Sequence, residues 1–230
     1  MHPKLVLLPG LDGTGDLFDP LLAALDADVR PLVIRYSSPP LTRYEDCRSA
    51  VVSQLPADEP YVLLGESFSG PIAVSIAATR PPGLRGVILS ASFVASPRRL
   101  FKILRPFVQF LPIHGAPPRL AAFFQLGAFA TPQLRAKVTQ TNAQIPPAVL
   151  HERLTEIALV DVSRELASVE VPILYMRATR DRLVPASCAE HIRRLSTAVR
   201  IVDIDAPHML LQAAPRACAS IICEFIRNPT

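Results

Sequence analysis

The chain has 230 residues, half of them hydrophobic and 19% charged, a length that fits one domain with a sizeable core and room for an insertion. The formal net charge is only +4, and we expect no nucleic-acid partner. The four scattered cysteines include no C-x-x-C pair, which argues against a disulfide framework or a zinc site. No apolar run reaches the roughly 18 residues of a membrane span, and the run at residues 5–8 is too short for a signal peptide, so we expect a cytoplasmic protein.

Short apolar strands alternate with helices along most of the chain. Strands are predicted at residues 4–8, 29–36, 61–64, 84–90, 171–178 and 199–204. Helices are predicted at residues 16–25, 44–55, 72–79, 186–195 and 215–227. Continuous apolar strands that alternate with helices are typical of a mostly parallel sheet covered on both faces, so we expect an α/β fold.

One long segment, residues 97–160, breaks this alternation. It contains eight prolines and six of the ten phenylalanines of the chain, namely Phe101, Phe107, Phe110, Phe123, Phe124 and Phe129. A structureless loop of this length would be unusual in a compact domain. We therefore predict a helical cap at residues 97–160, inserted into a core formed by residues 1–96 and 161–230.

The charge of this predicted cap is one-sided. Residues 97–151 contain seven basic side chains and no acidic one, so this window carries +7. The rest of the chain, with 17 basic and 20 acidic residues, carries −3, and the window therefore accounts for the positive net charge of +4. Arg98, Lys102 and Arg105 share one face of a predicted helix, with Arg99 beside them. A basic amphipathic helix can bind an anionic membrane surface or an acidic protein partner. A solvated basic face without any partner is the alternative.

The stretch from Tyr61 to Pro71 predicts a strand, a very tight turn and a helix, with Ser67 at the apex. Such a turn strains the apex residue, and the small residues Gly65, Ser69 and Gly70 let the strand and the helix pass close together. The serine hydroxyl is thereby lifted clear of the sheet edge, beside a helix N-terminus that favours a developing negative charge.

A nucleophilic serine needs a base to take its proton and an acid to orient that base. Asp181 follows the predicted strand at residues 171–178, and His208 follows the one at residues 199–204. Because the carboxyl ends of parallel strands meet at one edge of a sheet, we expect Ser67, Asp181 and His208 to converge there. Asp203 lies inside a strand pattern and Asp205 only three residues before His208, so both are weaker candidates for the acid.

Together these motifs resemble the α/β-hydrolase superfamily over nearly the whole chain, with Ser, Asp and His in the expected order. Residues 65–70 resemble its nucleophile elbow, although Ser69 stands where Gly is usual, and residues 8–13 are similar to its oxyanion loop, although Pro9 stands where many members have His. The resemblance implies that the amides of Leu11 and Phe68 form the oxyanion hole. It also implies about six strands, because the chain begins at what would be the third strand of the full fold.

The predicted function is that of a serine hydrolase that cleaves a carboxylic ester or thioester and needs no metal and no cofactor. The glycines at residues 10–15 lack the G-x-G-x-x-G spacing of a dinucleotide loop. The phenylalanines of the predicted cap indicate an apolar acyl or alcohol part. As residues of the substrate pocket we predict Phe101, Phe107, Phe123 and Phe124.

Two further resemblances imply two different reactions. The small basic cap looks like that of carboxylesterases of the pimeloyl-carrier-protein methyl ester type, which implies an acidic carrier protein docking on Arg98, Arg99, Lys102 and Arg105. The loop at residues 9–15 is similar to the hydrolase part of plant phytyl ester synthases, so acyl transfer is the alternative reaction. A non-enzymatic interaction protein on the same fold is the alternative from another class.

Overall fold

The computed structural model describes residues 3–36, 39–97 and 123–229. One parallel sheet of six strands forms its centre. The strands in chain order are β1 (Lys4–Leu8), β2 (Pro31–Val33), β3 (Tyr61–Glu66), β4 (Leu84–Ser90), β5 (Ile173–Ala178) and β6 (Val199–Ile204). Their order across the sheet is β2-β1-β3-β4-β5-β6, and every neighbouring pair is parallel. The predicted α/β fold with about six parallel strands is confirmed.

Helices cover both faces of this sheet. In chain order they are α1 (Asp19–Leu22), α2 (Tyr44–Val52), α3 (Gly70–Ala78), α4 (Pro132–Ala143), α5 (Pro147–Leu159), α6 (Ser163–Ala167), α7 (Ser187–Leu195), α8 (Leu210–Ala213) and α9 (Pro215–Arg227). Short 3-10 segments also occur at Asp16–Phe18, Ser67–Ser69 and Gly127–Phe129. Within the part of the chain that the structure describes, no helix combines the length and the apolar character needed to cross a membrane.

The central strands are apolar on both sides because each face of the sheet is buried. Along β1, Val6 and Leu8 pack with α2, α3, α6 and α7, whereas Leu5 and Leu7 pack with α1, α8 and α9. All four side chains are fully buried. This alternation of faces explains the continuous apolar run that predicts a fully buried strand.

Two predicted elements are shorter in the structure. The predicted strand at residues 29–36 is reduced to β2, an edge strand that pairs only with β1 over three positions. The predicted helix at residues 16–25 is divided into the 3-10 segment Asp16–Phe18 and the four-residue helix α1, in which Pro20 lies at the start. Proline lacks an amide hydrogen and is favoured in the first turn of a helix, so it begins a new helix rather than continuing the preceding one.

The two ends of the segment predicted as a cap lie side by side. Ala95 and Asp161 form an antiparallel bridge, and the Ser96 amide donates to the Val160 carbonyl at 3.0 Å. Helices α4 and α5 belong to this segment, and α4 packs through Val138 against Met209. The division into core and cap stays a prediction, since residues 98–122 lie outside the described residues.

Only glycine fits at two positions of the turn between β3 and α3, Gly65 where β3 passes the start of α3, and Gly70 where α3 passes the residues after β4. A Cβ atom at Gly65 would lie 2.6 Å from the backbone oxygen of Ser69. A Cβ atom at Gly70 would lie 1.8 Å from Ser92 Oγ. The small residues around the turn are therefore a steric requirement of the path of the backbone.

We expect Gly65→Ala to lower the free energy of unfolding by about 1–3 kcal/mol, because the added methyl group meets backbone atoms that cannot rotate away. Gly10→Ala is the matched control, since its methyl group would meet its nearest neighbours at 3.7 Å, an ordinary contact. Chemical denaturation of both variants and the wild type measures the difference. Equal stability of the two variants would contradict this steric explanation.

Candidate active site

Ser67 lies at the apex of the turn between β3 and α3 and has a strained backbone. Its φ angle of 46° is in the left-handed region, which residues other than glycine seldom occupy. Ser92 Oγ donates a hydrogen bond to the Ser67 carbonyl at 2.6 Å, and Tyr175 Oη donates one to the Ser92 carbonyl at 2.7 Å. The apex is thus tied to the residues after β4 and to β5, while the Ser67 side chain stays partly accessible.

The structure brings Ser67, His208 and Asp181 together in one hydrogen-bonded chain. His208 Nε2 is 2.9 Å from Ser67 Oγ, and His208 Nδ1 is 2.8 Å from Asp181 Oδ2. The other carboxylate oxygen, Oδ1, accepts the amides of Leu183 and Val184 at 2.8 and 2.9 Å. The aspartate is thereby fixed in place, so that it can orient the imidazole while the imidazole takes a proton from the serine.

The two weaker candidates for the acid are engaged elsewhere. Asp203 binds Arg177 through two hydrogen bonds, and Asp205 accepts one from Arg180 at 2.8 Å. These hydrogen bonds hold the pKa of both carboxyl groups below their usual range. Both aspartates are exposed.

Ser69, the departure from the usual elbow sequence, has a structural explanation. Its hydroxyl is buried and donates to the Pro9 carbonyl at 2.5 Å, and Tyr36 Oη lies 3.0 Å from the same oxygen. Because the single Ser69 proton goes to Pro9, the tyrosine is the donor in the second contact. A serine in place of glycine thus links the elbow to the loop after β1.

The loop after β1 lies beside the elbow because Leu8 is paired with Gly65 in the sheet. This loop contains Leu11, whose side chain is half-buried. Phe68 lies in the first turn of the 3-10 segment, where backbone amides have no partner within the helix. Two segments that carry the predicted oxyanion amides therefore flank the serine.

A buried arginine binds the loop after β1, which carries the predicted oxyanion amide of Leu11. Arg153 on α5 is 1% exposed and donates to the carbonyls of Leu11 at 2.7 Å, Leu41 at 2.6 Å and Tyr36 at 3.3 Å. Its guanidinium also lies 5.8 Å from the centre of the Phe68 ring. Burial lowers the pKa of this side chain from its usual value, and bonds to backbone carbonyls satisfy its donors.

Glu66, directly before Ser67, is a buried acid. Gln212 Nε2 donates to Glu66 Oε1 at 2.9 Å. Burial is the main cause that raises the pKa of Glu66 to about 7, and the hydrogen bond from Gln212 works in the opposite direction. Sequence reasoning assigns no role to Glu66 and does not predict the contributions of Ser92, Arg153 or Gln212. The signal that the sequence offers for Gln212 is its position four residues after His208.

The predicted substrate-pocket residues fall partly within the described chain. Phe123 and Phe124 are exposed and contact each other edge to face, with ring centres 5.5 Å apart. Arg182 covers the Phe123 ring at 4.1 Å. The remaining predicted pocket and docking residues lie outside the described residues, namely Phe101, Phe107, Arg98, Arg99, Lys102 and Arg105.

Two cavities of the described chain are lined by different parts of the protein. One of about 290 Å³ borders the loops of Asp181 and His208 and is lined by Arg180, Arg182 and Pro207, among others. A larger one of about 610 Å³ lies along α4, and none of the three hydrogen-bonded residues lines it. Among the described residues no group of three or more His, Cys, Asp and Glu side chains is arranged to hold a metal ion.

The fold and this geometry agree with the comparisons with known proteins. Residues 5–221 match the alpha/beta hydrolase family, and the chain belongs to that family, which confirms the predicted superfamily. The biotin biosynthesis bifunctional protein of Cellvibrio japonicus (strain Ueda107) is 32% identical over 189 residues, which are 77% of this chain but only 37% of that protein. The chain therefore spans little more than a third of that bifunctional protein.

A second relative is matched over most of its own length. A pimeloyl-[acyl-carrier protein] methyl ester esterase of Xanthomonas axonopodis pv. citri (strain 306) is 31% identical over 200 residues, or 80% of this chain and 79% of that protein. Among solved structures, the enol-lactonase from Burkholderia xenovorans LB400 has a TM-score of 0.82, with 99% of this chain and 92% of that one covered. At 17% identity, the latter likeness shows the fold alone.

We expect Ser69→Ala to lower the free energy of unfolding by about 1–3 kcal/mol, because the Pro9 carbonyl and the Tyr36 hydroxyl lose a buried hydrogen-bond partner. Ser53→Ala is the control, since its exposed hydroxyl bonds only the Ala50 carbonyl of its own helix end, and it should stay within about 0.5 kcal/mol of the wild type. Urea denaturation measures both. A Ser69→Ala protein as stable as the control would exclude this link.

Proposed function

We propose that this protein is a carboxylic ester hydrolase that uses Ser67 as nucleophile, His208 as general base and Asp181 as the group that orients the imidazole. The observation that carries the proposal is the chain of two hydrogen bonds through His208, of 2.9 and 2.8 Å, at the carboxyl edge of a parallel sheet. Membership of the alpha/beta hydrolase family and relatives that are named esterases support the same class of enzyme.

In the first half of the reaction, Ser67 Oγ forms a bond to the ester carbonyl carbon while its proton passes to His208 Nε2. The Asp181 carboxylate stabilises the resulting imidazolium through Nδ1. When the bond between the carbonyl carbon and the alcohol oxygen breaks, the imidazolium gives its proton to the leaving alcohol. The acyl group then remains on Ser67 as an ester.

In the second half, water replaces the alcohol. His208 Nε2 takes a proton from the water as its oxygen bonds to the acyl carbon, and returns that proton to Ser67 Oγ when the acid leaves. In both halves the negative charge collects on the carbonyl oxygen. We assign its stabilisation to the amides of Leu11 and Phe68, which lie on the two segments that flank Ser67.

For the substrate we propose a methyl ester of an acyl group attached to a carrier protein, admitted beneath a helical cap at residues 97–160. The Xanthomonas relative named for this activity supports the proposal. So does the predicted cap, whose seven basic side chains at residues 97–151 include no acid and would attract an acidic carrier. An apolar acyl chain fits the six phenylalanines of the same segment, Phe101, Phe107, Phe123 and Phe124 among them.

Ser67→Ala and Asp181→Asn test the chemical roles. With p-nitrophenyl esters of increasing acyl length, we expect Ser67→Ala to lower kcat by about 10⁶-fold and Asp181→Asn by about 10⁴-fold, because each removes a member of one catalytic unit. Asp205→Asn alters a carboxylate paired with Arg180 at the surface and should keep wild-type kcat. Wild-type protein that neither turns over any ester nor becomes labelled at Ser67 by a fluorophosphonate would disprove the proposal.

Charge reversal tests the carrier. We expect Arg98→Glu combined with Lys102→Glu to raise KM for a carrier-linked methyl ester by about tenfold, and to leave p-nitrophenyl ester hydrolysis unchanged, because only the carrier makes electrostatic contacts outside the site. Arg194→Glu combined with Arg216→Glu, at exposed positions of α7 and α9, is the control with the same change of charge. An unchanged KM for the carrier-linked ester, together with salt-sensitive binding to anionic vesicles, would favour a membrane surface instead.

A further inference from the structure

Glu66 lies directly before Ser67, yet its side chain takes no part in the hydrogen-bonded chain through His208. It is the last residue of β3, and it is buried at 6% exposure. A buried carboxyl group lowers the stability of the fold unless it is hydrogen-bonded or neutral, so its partners matter for the site.

The Glu66 carboxylate lies beside amides of two different segments. Gln212 Nε2 on α8 donates to Oε1 at 2.9 Å. The backbone amide of Gly10, in the loop after β1, is near enough to lower the pKa of the same carboxyl group. A methyl group on Gly10 would lie 3.7 Å from Oε2, which shows how closely this loop passes the carboxylate.

These two partners adjoin the two other components of the site. Gly10 precedes Leu11, whose amide we assign to the oxyanion hole, and Gln212 lies four residues after His208, on α8. Glu66 and Gln212 are 146 positions apart in the chain, so the contact is purely tertiary. One carboxylate therefore joins the elbow, the oxyanion loop and the segment that carries the base.

We propose that Glu66 is a positioning residue whose carboxylate holds the oxyanion loop at Gly10 and the His208 segment at Gln212 in register with the Ser67 hydroxyl. This role rests on the esterase function proposed above. Glu66 acts through the groups that it holds and does not touch the reacting ester.

The surroundings of Glu66 set the pH at which this link is strongest. Burial, the largest cause, raises the pKa of the carboxyl group to about 7, and the nearby charge of Asp12 acts in the same direction. The amides of Gln212 and Gly10 and the neighbouring His208 act in the opposite direction. An ionised carboxylate accepts hydrogen bonds more strongly than the neutral acid, so the link strengthens as the pH rises through about 7.

Helix α9 contributes a further titratable group that interacts with Glu66. Cys218 is buried, and its thiol donates to the Leu210 carbonyl at 3.4 Å. Burial raises the pKa of this thiol to about 12, so it stays neutral while Glu66 ionises. Of these two groups with a raised pKa, Glu66 is therefore the one that ionises near neutral pH.

The test compares kcat of the wild type and of Glu66→Gln for p-nitrophenyl butyrate from about pH 5.5 to about pH 9. The amide keeps the size of the side chain and mimics the neutral acid. We expect the wild-type kcat to exceed that of the variant by about tenfold at the high end, with KM within about twofold. The ratio should approach one at the low end, where the wild-type carboxyl group is neutral as well.

A second variant tests the hydrogen bond between Glu66 and Gln212 by changing Gln212. Gln212→Leu removes an amide that stabilises the anion, so kcat should fall and the ionisation in its pH profile should move to higher pH. Glu224→Gln, which makes the same chemical change at a surface carboxylate paired with Arg200, should keep the wild-type profile. Thermal unfolding of each variant establishes that it is folded.

The outcomes separate this proposal from the esterase function. The positioning role is overturned if the kcat ratio is the same at every pH, or if Glu66→Gln has wild-type kcat. In that case, turnover and labelling of Ser67 by a fluorophosphonate leave the esterase function intact. If Glu66→Gln does not fold, an unshifted profile in Gln212→Leu overturns the role. Wild-type protein without turnover and without labelling at Ser67 overturns the esterase function and this role with it.

Discussion

The left-handed backbone of Ser67 is the constraint on which the rest of the site depends. A non-glycine residue at a φ angle of 46° is strained by about 1–2 kcal/mol, and it keeps this conformation only where its neighbours hold it. The Ser92 hydroxyl holds its carbonyl, Gly65 leaves room for the start of α3, and Gly70 leaves room for Ser92. Without that turn the hydroxyl would not stand 2.9 Å from the His208 imidazole.

Around this turn, hydrogen bonds from buried polar side chains hold the loops in place. Ser69 binds the Pro9 carbonyl, Arg153 binds the Leu11 carbonyl and Glu66 binds Gln212. In a low-dielectric interior each of these groups is costly if its partner is lost, so the loops have one arrangement in which all are satisfied. Hydrogen-bond donors that are fixed before the substrate arrives need no reorganisation in the transition state, which is what an oxyanion site requires.

Most of the fold and part of the site could be predicted from the sequence, because both depend on local patterns. Apolar runs mark the central strands, and Ser67, Asp181 and His208 each follow a strand, so a parallel sheet brings them to one edge. Arg153 could not be found this way. On an amphipathic helix an arginine is typical of the solvent face, and its burial depends on the Leu11 carbonyl, which is 142 positions away. The short strand β2 likewise reflects its place at the sheet edge rather than its composition.

Arg153 also changes where the chain divides into exchangeable parts. By the alternation of strands and helices, α5 belongs to the inserted segment, but its guanidinium is satisfied by three carbonyls of the core. For protein engineering, a graft that replaced the insertion up to residue 160 would remove a cation that the core loops are built around. A graft of the predicted cap should therefore end before Pro147, so that α5 and Arg153 remain with the host scaffold.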